Sequence, residues 1–185
     1  MQTGSALNYH DALSKWSRQG KIYAMAGSEV IIMDATYKSD EFRESFTTEY
    51  SRLYGLDSVE GSKKLTYSEI VANSSKEEQK LEFFVSFYTP DPKWNDLDKK
   101  NSIWNLYVET AGGNRIEPAS IENISRDDAR TKNFYPYIGP WSEAYVVSFK
   151  KPADLSGNFK LLAFSVKGEI EMEWTLETDA TVIAN

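Results

Sequence analysis

Apolar and polar positions along this chain alternate mostly with a period of two. The clearest run is "GEIEMEWTLE", where Ile170, Met172, Trp174 and Leu176 are interleaved with Glu169, Glu171 and Glu173. That pattern predicts a strand with one buried and one wet face. The preceding run, "FKLLAFSV", places Leu162, Phe164 and Val166 in the same phase. The two runs make either one long strand bulged at Gly168 or a hairpin turned by "VKGE". "KLEFFVSFY" sets Leu81, Phe83, Val85 and Phe87 on one face, and "EAYVVSFK" does so with Tyr145, Val147 and Phe149. "SIWNLYV" supplies Trp104, Leu106 and Val108, and "TAGGNRI" turns into a further strand ending near Ile121. Near the start, "KIYAMAGSEVIIMDATYK" predicts two strands around Gly27-Ser28.

Helical spacing is rarer. "NYHDALSKWSRQG" places Tyr9, Ala12, Leu13 and Trp16 at i, i+3, i+4 and i+7, with Gly20 as the stop. "SDEFRESFTTEYSRLYG" is the strongest helix: Ser39 or Asp40 caps it, Phe42, Phe46, Tyr50 and Leu53 line one face, and Gly55 ends it. A weaker helical stretch opens at Asp57, with Glu60 completing a capping-box spacing. "SRDDARTKN" predicts a short turn between later strands.

Seven or eight short strands with one helical stretch among them predict a mainly β fold. The expectation is a single domain over residues 1–185, an antiparallel immunoglobulin-like β-sandwich with a short N-terminal helix. A helical insertion after the second strand, residues 39–75, covers one end; an α+β roll is the competing architecture.

Composition narrows the function. Aromatic residues make up 14% of the 185, which suits packed sheets. The net charge of −7 argues against nucleic acid or an anionic membrane as partner, because both require clustered Lys and Arg. There is no cysteine, so disulfides, thiolate metal sites and thiol nucleophiles are excluded. No apolar run reaches the roughly 18 residues of a membrane helix. "MQTGSALNY" lacks the basic and apolar regions of a signal peptide. The single histidine, His10, leaves no Ser-His-Asp triad partner of choice and no His cluster for zinc. Phosphate-binding glycine loops and nucleophile elbows are missing too. The 28 carboxylates would allow a carboxylate-only glycoside hydrolase, but any acidic protein offers such pairs.

Two loops hold the remaining candidates. In "YTPDPKWNDLDKK", Asp91, Asn95, Asp96 and Asp98 are oxygen ligands at short spacing, a candidate Ca²⁺ set, although the spacing is not that of an EF-hand. The competing reading is an ordered cap, with Pro90 and Pro92 fixing turns and Trp94 plugging the end of the sandwich. In "NFYPYIGPW", Tyr135, Tyr137 and Trp141 sit in a proline-stiffened segment whose two X-Pro bonds could include a cis peptide. With Trp94 they form a candidate ligand-binding patch if both loops share one end of the sandwich; otherwise the rings close the core.

"ATYKSDEFRESF" and "FYTPDPKWNDL", followed in order by "SRDDAR" and "PYIGPW", resemble a group of uncharacterised bacterial proteins of similar length. Those proteins are thought to be exported and are often lipid-anchored. The resemblance spans nearly the whole chain and implies an envelope or periplasmic location, with the cytoplasm as the alternative. It implies no activity and no catalytic residue. The absent leader and cysteine depart from that pattern, and fit it only if the sequence begins after a removed leader or lipid anchor. The function expected is therefore a non-catalytic envelope module, binding or structural, that engages a protein or copies of itself. Its alternative is a carbohydrate- or small-ligand-binding module, with Ca²⁺ as the one cofactor worth testing.

Overall fold

Strand β3, Lys80–Tyr88, shows how the molecule is layered, because it is buried on both faces. A strand that alternates cleanly needs one cover; a strand buried on both sides needs two. In the computed structural model, which describes residues 8–23, 30–54, 80–153 and 155–176, both covers are present. On one face, Phe83 meets Phe159 and Trp174 of a second sheet at ring-centroid distances of 6.3 and 5.2 Å. On the other, Phe84 lies flat on Tyr135, 3.6 Å between centroids, beneath a helical layer.

The described residues form nine strands in two antiparallel sheets. The first sheet has β1 (Ser17–Tyr23), β2 (Val30–Tyr37), β3, β7 (Glu143–Lys150) and β6 (Pro118–Ile124), in that order. The second runs β5 (Arg115–Ile116), β4 (Asn105–Thr110), β8 (Asn158–Ser165), β9 (Gly168–Thr175). The expected mainly β, two-layered antiparallel sandwich is thus observed, with helices α1 (Tyr9–Trp16), α2 (Asp40–Tyr54) and α3 (Ala129–Phe134) on the outer face of the first sheet.

The helices pack through rings. Tyr9, Phe42, Phe46 and Phe134 meet one another, and the Tyr9 hydroxyl donates to the Phe134 carbonyl. Ser39 caps α2, its Oγ accepting from the Phe42 amide at 3.1 Å. Phe42, Phe46 and Tyr50 are buried as the spacing predicts, but Leu53 is 49% exposed. The rest of the 39–75 insertion, the stop at Gly55 and the turn at Gly27-Ser28 lie outside the described residues.

Three local expectations change. Helix α1 ends at Trp16, not at Gly20, because Ser17 leaves helical geometry and opens β1. Gly20 serves the packing instead: a Cβ there would sit 2.2 Å from Ile170 Cγ2 of β9. "SRDDARTKN" is no bare turn; Asp128 accepts from the Arg130 and Thr131 amides and caps α3. The strand expected to end near Ile121 is two strands, β5 and β6, in different sheets.

"VKGE" turns a hairpin, and this overturns the single phase expected for "FKLLAFSV". Cross-strand pairing sets Ala163 opposite Ile170, Leu161 opposite Met172 and Phe159 opposite Trp174. Those residues, not Phe164 and Val166, face the other sheet; Val166 at the tip is 92% exposed. Gly168 takes φ 138°, which a residue with a Cβ rarely adopts.

One flank of the sandwich is sealed. There β1 meets β9: Trp174 Nε1 donates to the Trp16 carbonyl at 2.8 Å, and Arg18 Nε to the Glu173 carbonyl at 2.9 Å. The Glu row of β9 faces solvent, where Glu171 pairs with Lys160 and Glu173 accepts from Asn158.

Candidate functional site

Strand direction brings four connections to one end of the sandwich: β1–β2, β3–β4, β6–β7 and β8–β9. Tyr23 ends β1 opposite Val30, Tyr88 ends β3 opposite Ile32, and Glu143 begins β7 opposite Phe87. Ile124 ends β6 opposite Ala144, and Gly168 follows the β8–β9 hairpin against Ile22. The loops after β3 and before β7, both singled out from sequence, therefore share this end.

The first loop is tightly self-bonded. Asp91 opens the short 3₁₀ turn Pro92–Trp94, its carboxylate accepting from the Lys93 amide at 3.2 Å and meeting Lys93 Nζ at 2.7 Å. The Lys93 side chain holds the Asp91 carboxyl below the usual carboxylate range. Asp96 accepts from Ser102 Oγ at 2.9 Å, and Asp98 pairs with Lys99 at 2.7 Å. The Asn95 carbonyl accepts from the Tyr145 hydroxyl at 2.8 Å, tying the loop to β7. Among the described residues, no three His, Cys, Asp or Glu side chains gather as a metal-holding group. Of the candidate Ca²⁺ set, Asp91, Asp96 and Asp98 are thus each engaged by a different local partner, and Asn95 Nδ2 donates to the Trp141 carbonyl.

The plug of this end is Trp104 rather than Trp94. Trp104 is buried edge-on against Phe87 at 5.0 Å, and its Nε1 donates to the Trp94 carbonyl at 2.9 Å. The Trp94 ring is half-buried between two cations, Lys93 Nζ at 4.7 Å and Lys167 Nζ of the β8–β9 hairpin at 3.8 Å from its centroid. That contact latches the hairpin to the loop.

The second loop divides. Tyr135 is fully buried against Phe84, and burial pushes its phenol well above its usual range. Tyr137 is half-buried, its hydroxyl 2.6 Å from Thr36 Oγ1. Both belong to the layer between sheet and helices. Every peptide bond among the described residues is trans. Trp141 alone is displayed, 74% exposed, and its carbonyl accepts from Asn95 Nδ2 at 3.4 Å.

Beside Trp141 a groove of about 480 Å³ opens between the loops, lined by Tyr88, Pro90 and Pro92 and by the polar Asn95, Arg126 and Glu143. Arg126 Nη1 reaches the Ser142 carbonyl and Glu143 Oε1, both at 3.2 Å. Asn95 Oδ1 is buried without a hydrogen-bond partner. The arrangement offers a flat ring, a guanidinium, a carboxylate and an amide to one ligand. Sequence reasoning found Asn95 and Trp141 but missed Tyr88, Arg126 and Glu143, which become neighbours only through the β3–β7–β6 register.

A second polar cluster lies under the helical layer. Lys38 is 2% exposed, with Nζ 3.9 Å from Glu82 Oε2 and no hydrogen-bond partner. Glu82 is held by Arg43 Nη2 at 2.8 Å and Ser148 Oγ at 3.1 Å. Desolvation lowers the Lys38 pKa to about 8, against the opposing pull of Glu82. Glu82, polar between Leu81 and Phe83, was the one legible signal of this cluster.

The fold and site define a helix-covered antiparallel sandwich with a loop-built groove at one end. No family model matches the chain, and no curated protein matches it. A crystal structure of a DUF4426 family protein, a family of unknown function, from Pseudomonas aeruginosa PAO1 aligns over 86% of this chain and 97% of that one. It does so at 9% identity with a TM-score of 0.35.

Proposed function

We propose that this protein is a non-catalytic binding module of the cell envelope that engages a protein partner through the loop-bearing end, with Trp141 as the anchor. The observation that carries this is the 74% exposure of Trp141 beside a groove of about 480 Å³. Binding energy at protein interfaces concentrates in such aromatic anchors, flanked by polar groups that fix orientation. The envelope location is drawn from the sequence resemblance, and fractionating cells that express the native gene tests it directly.

A second reading is a carbohydrate or small-ligand site. It is favoured by the planar indole beside Asn95, Arg126 and Glu143, which suits a sugar ring stacked on its C–H face with paired hydroxyl contacts. One experiment separates the two: titrate the folded chain with an oligosaccharide panel and a peptide library, following Trp fluorescence, beside Trp141→Ala. Peptide binding lost in the variant supports the protein-binding reading. Sugar binding lost in the variant transfers the site to carbohydrate, and binding indifferent to Trp141 removes the groove from both.

A further inference from the structure

Among the described residues, the flank opposite the sealed β1–β9 seam is open, and the second sheet has four strands to the first sheet's five. β4 pairs along its whole length with β8, from Asn105↔Phe164 to Thr110↔Phe159. On its other side it pairs only at Val108↔Ile116 and Glu109↔Arg115. The Thr110 amide donates to the Asn114 carbonyl at 3.0 Å, and the Thr110 carbonyl accepts from Gly113 at 2.8 Å. Alternate residues of a strand send both main-chain groups to the same side. Thr110, Val108 and Leu106 therefore point theirs towards β5, whereas Asn105, Tyr107 and Glu109 point theirs towards β8.

Continued in register, Pro118 would face Leu106. Pro118 has instead crossed into the first sheet, where it pairs with Phe149, and it carries no N–H. Among the described residues, the Leu106 N–H and C=O are thus left without a strand partner. They face a cleft of about 640 Å³ whose walls are the β4 edge and the small residues Pro118, Ala119 and Ser120 of β6. The Leu106 and Trp104 side chains are buried and Ile121 is half-buried, so the apolar residues lie at the bottom of the cleft, while Asp98, Lys99, Lys100 and Glu117 give it a charged rim.

We propose that this cleft is a strand-addition site, which takes an extended segment of a partner polypeptide in line with β5. Row upon row of hydroxyls or a lipid headgroup would not match it; a paired N–H and C=O on a strand edge matches the backbone of another extended chain. The register also states the side-chain pattern. The partner residue that exchanges both hydrogen bonds with Leu106 turns its side chain to the same face as Leu106, into the apolar floor. Its two neighbours turn outward with Asn105 and Tyr107. The segment is therefore polar–apolar–polar about one central residue, and the low walls at Ala119 and Ser120 leave room for its backbone. This site is separate from the Trp141 groove and does not depend on it.

The test is selection of a displayed 12-residue peptide library on the full chain, with counter-selection on Ala119→Trp. Ala119 is exposed, so the indole fills the cleft from its rim, and an unchanged unfolding midpoint verifies the variant's fold. Enriched peptides should alternate polar and apolar residues and should shift and protect the Leu106 amide in NMR spectra. N-methylation of the residue facing Leu106 should weaken them about tenfold, the loss of a main-chain bond in a sheltered site. Peptides that bind Ala119→Trp equally well, or tolerate the N-methyl group, overturn the proposal, as does a library with no enrichment. A concentration-dependent dimer that Ala119→Trp dissolves would overturn the assigned occupant and replace it with a second copy.

Discussion

Raising the pH from about 7.5 to about 9.5 should make this protein more stable, and the cause should be Lys38. Its amine is enclosed by Glu82, Arg43 and the outer face of the first sheet, and its pKa falls to about 8 from 10.5 when the chain folds. Between those two values the unfolded chain still holds a proton that the folded chain has released. Stability rises with pH wherever the unfolded state binds more protons, so the slope is positive over that window. The full difference is worth about 3 kcal/mol, of which about 2 kcal/mol should be gained by pH 9.5. The measurement must stop there. Burial pushes the Tyr37 phenol up to about 12, so above pH ~10 the unfolded chain loses phenolic protons that the folded one keeps, and stability falls again. The assay is urea unfolding at several pH values, followed by tryptophan fluorescence. Lys38→Met is the control, because Glu82 keeps Arg43 and Ser148 as partners. The variant should be more stable than the wild type at pH 7 by about 2 kcal/mol, and its profile should be flat across the window. A wild-type profile that is level or falling from pH 7.5 to 9.5, or a slope that survives in Lys38→Met, would refute the reasoning.

Three further outcomes follow from the geometry. Gly20→Ala should cost roughly 1–3 kcal/mol by overpacking β1 against β9, with partial rescue in the double variant with Ile170→Ala, read by denaturant unfolding. Trp174→Phe removes the donor to the buried Trp16 carbonyl and should cost roughly 1–3 kcal/mol, read as a lowered midpoint in thermal unfolding. Millimolar Ca²⁺ should leave the unfolding midpoint where EDTA leaves it, because Asp91, Asp96 and Asp98 are engaged separately by Lys93, Ser102 and Lys99. A rise of several degrees that Asp96→Ala abolishes would restore the cation site.

What the chain determined by itself is what depends on neighbours in sequence. Strand alternation located β7, β9 and most of β3 and β4, and the i, i+3, i+4 spacing placed the buried faces of α1 and α2, because both periodicities are local backbone geometry. Only the tertiary structure decided which side of a doubly buried strand meets which layer. It assigned Phe83 to the opposing sheet and Phe84 to Tyr135, and so sealed two of the four aromatic residues that the sequence had offered as a surface. It also decided phase after the Val166-Lys167 turn, where a two-residue connection reset which of Leu161 and Leu162 faces the other sheet. The groove behaves likewise: Asn95 and Trp141 were visible as loop residues, yet Arg126 and Glu143 join them only because β6 lies beside β7. The open edge at Leu106 depends on where Pro118 crosses between sheets. Period and capping are written in adjacent residues, whereas a site is made by pairings across the sheet, and those are settled by the fold as a whole.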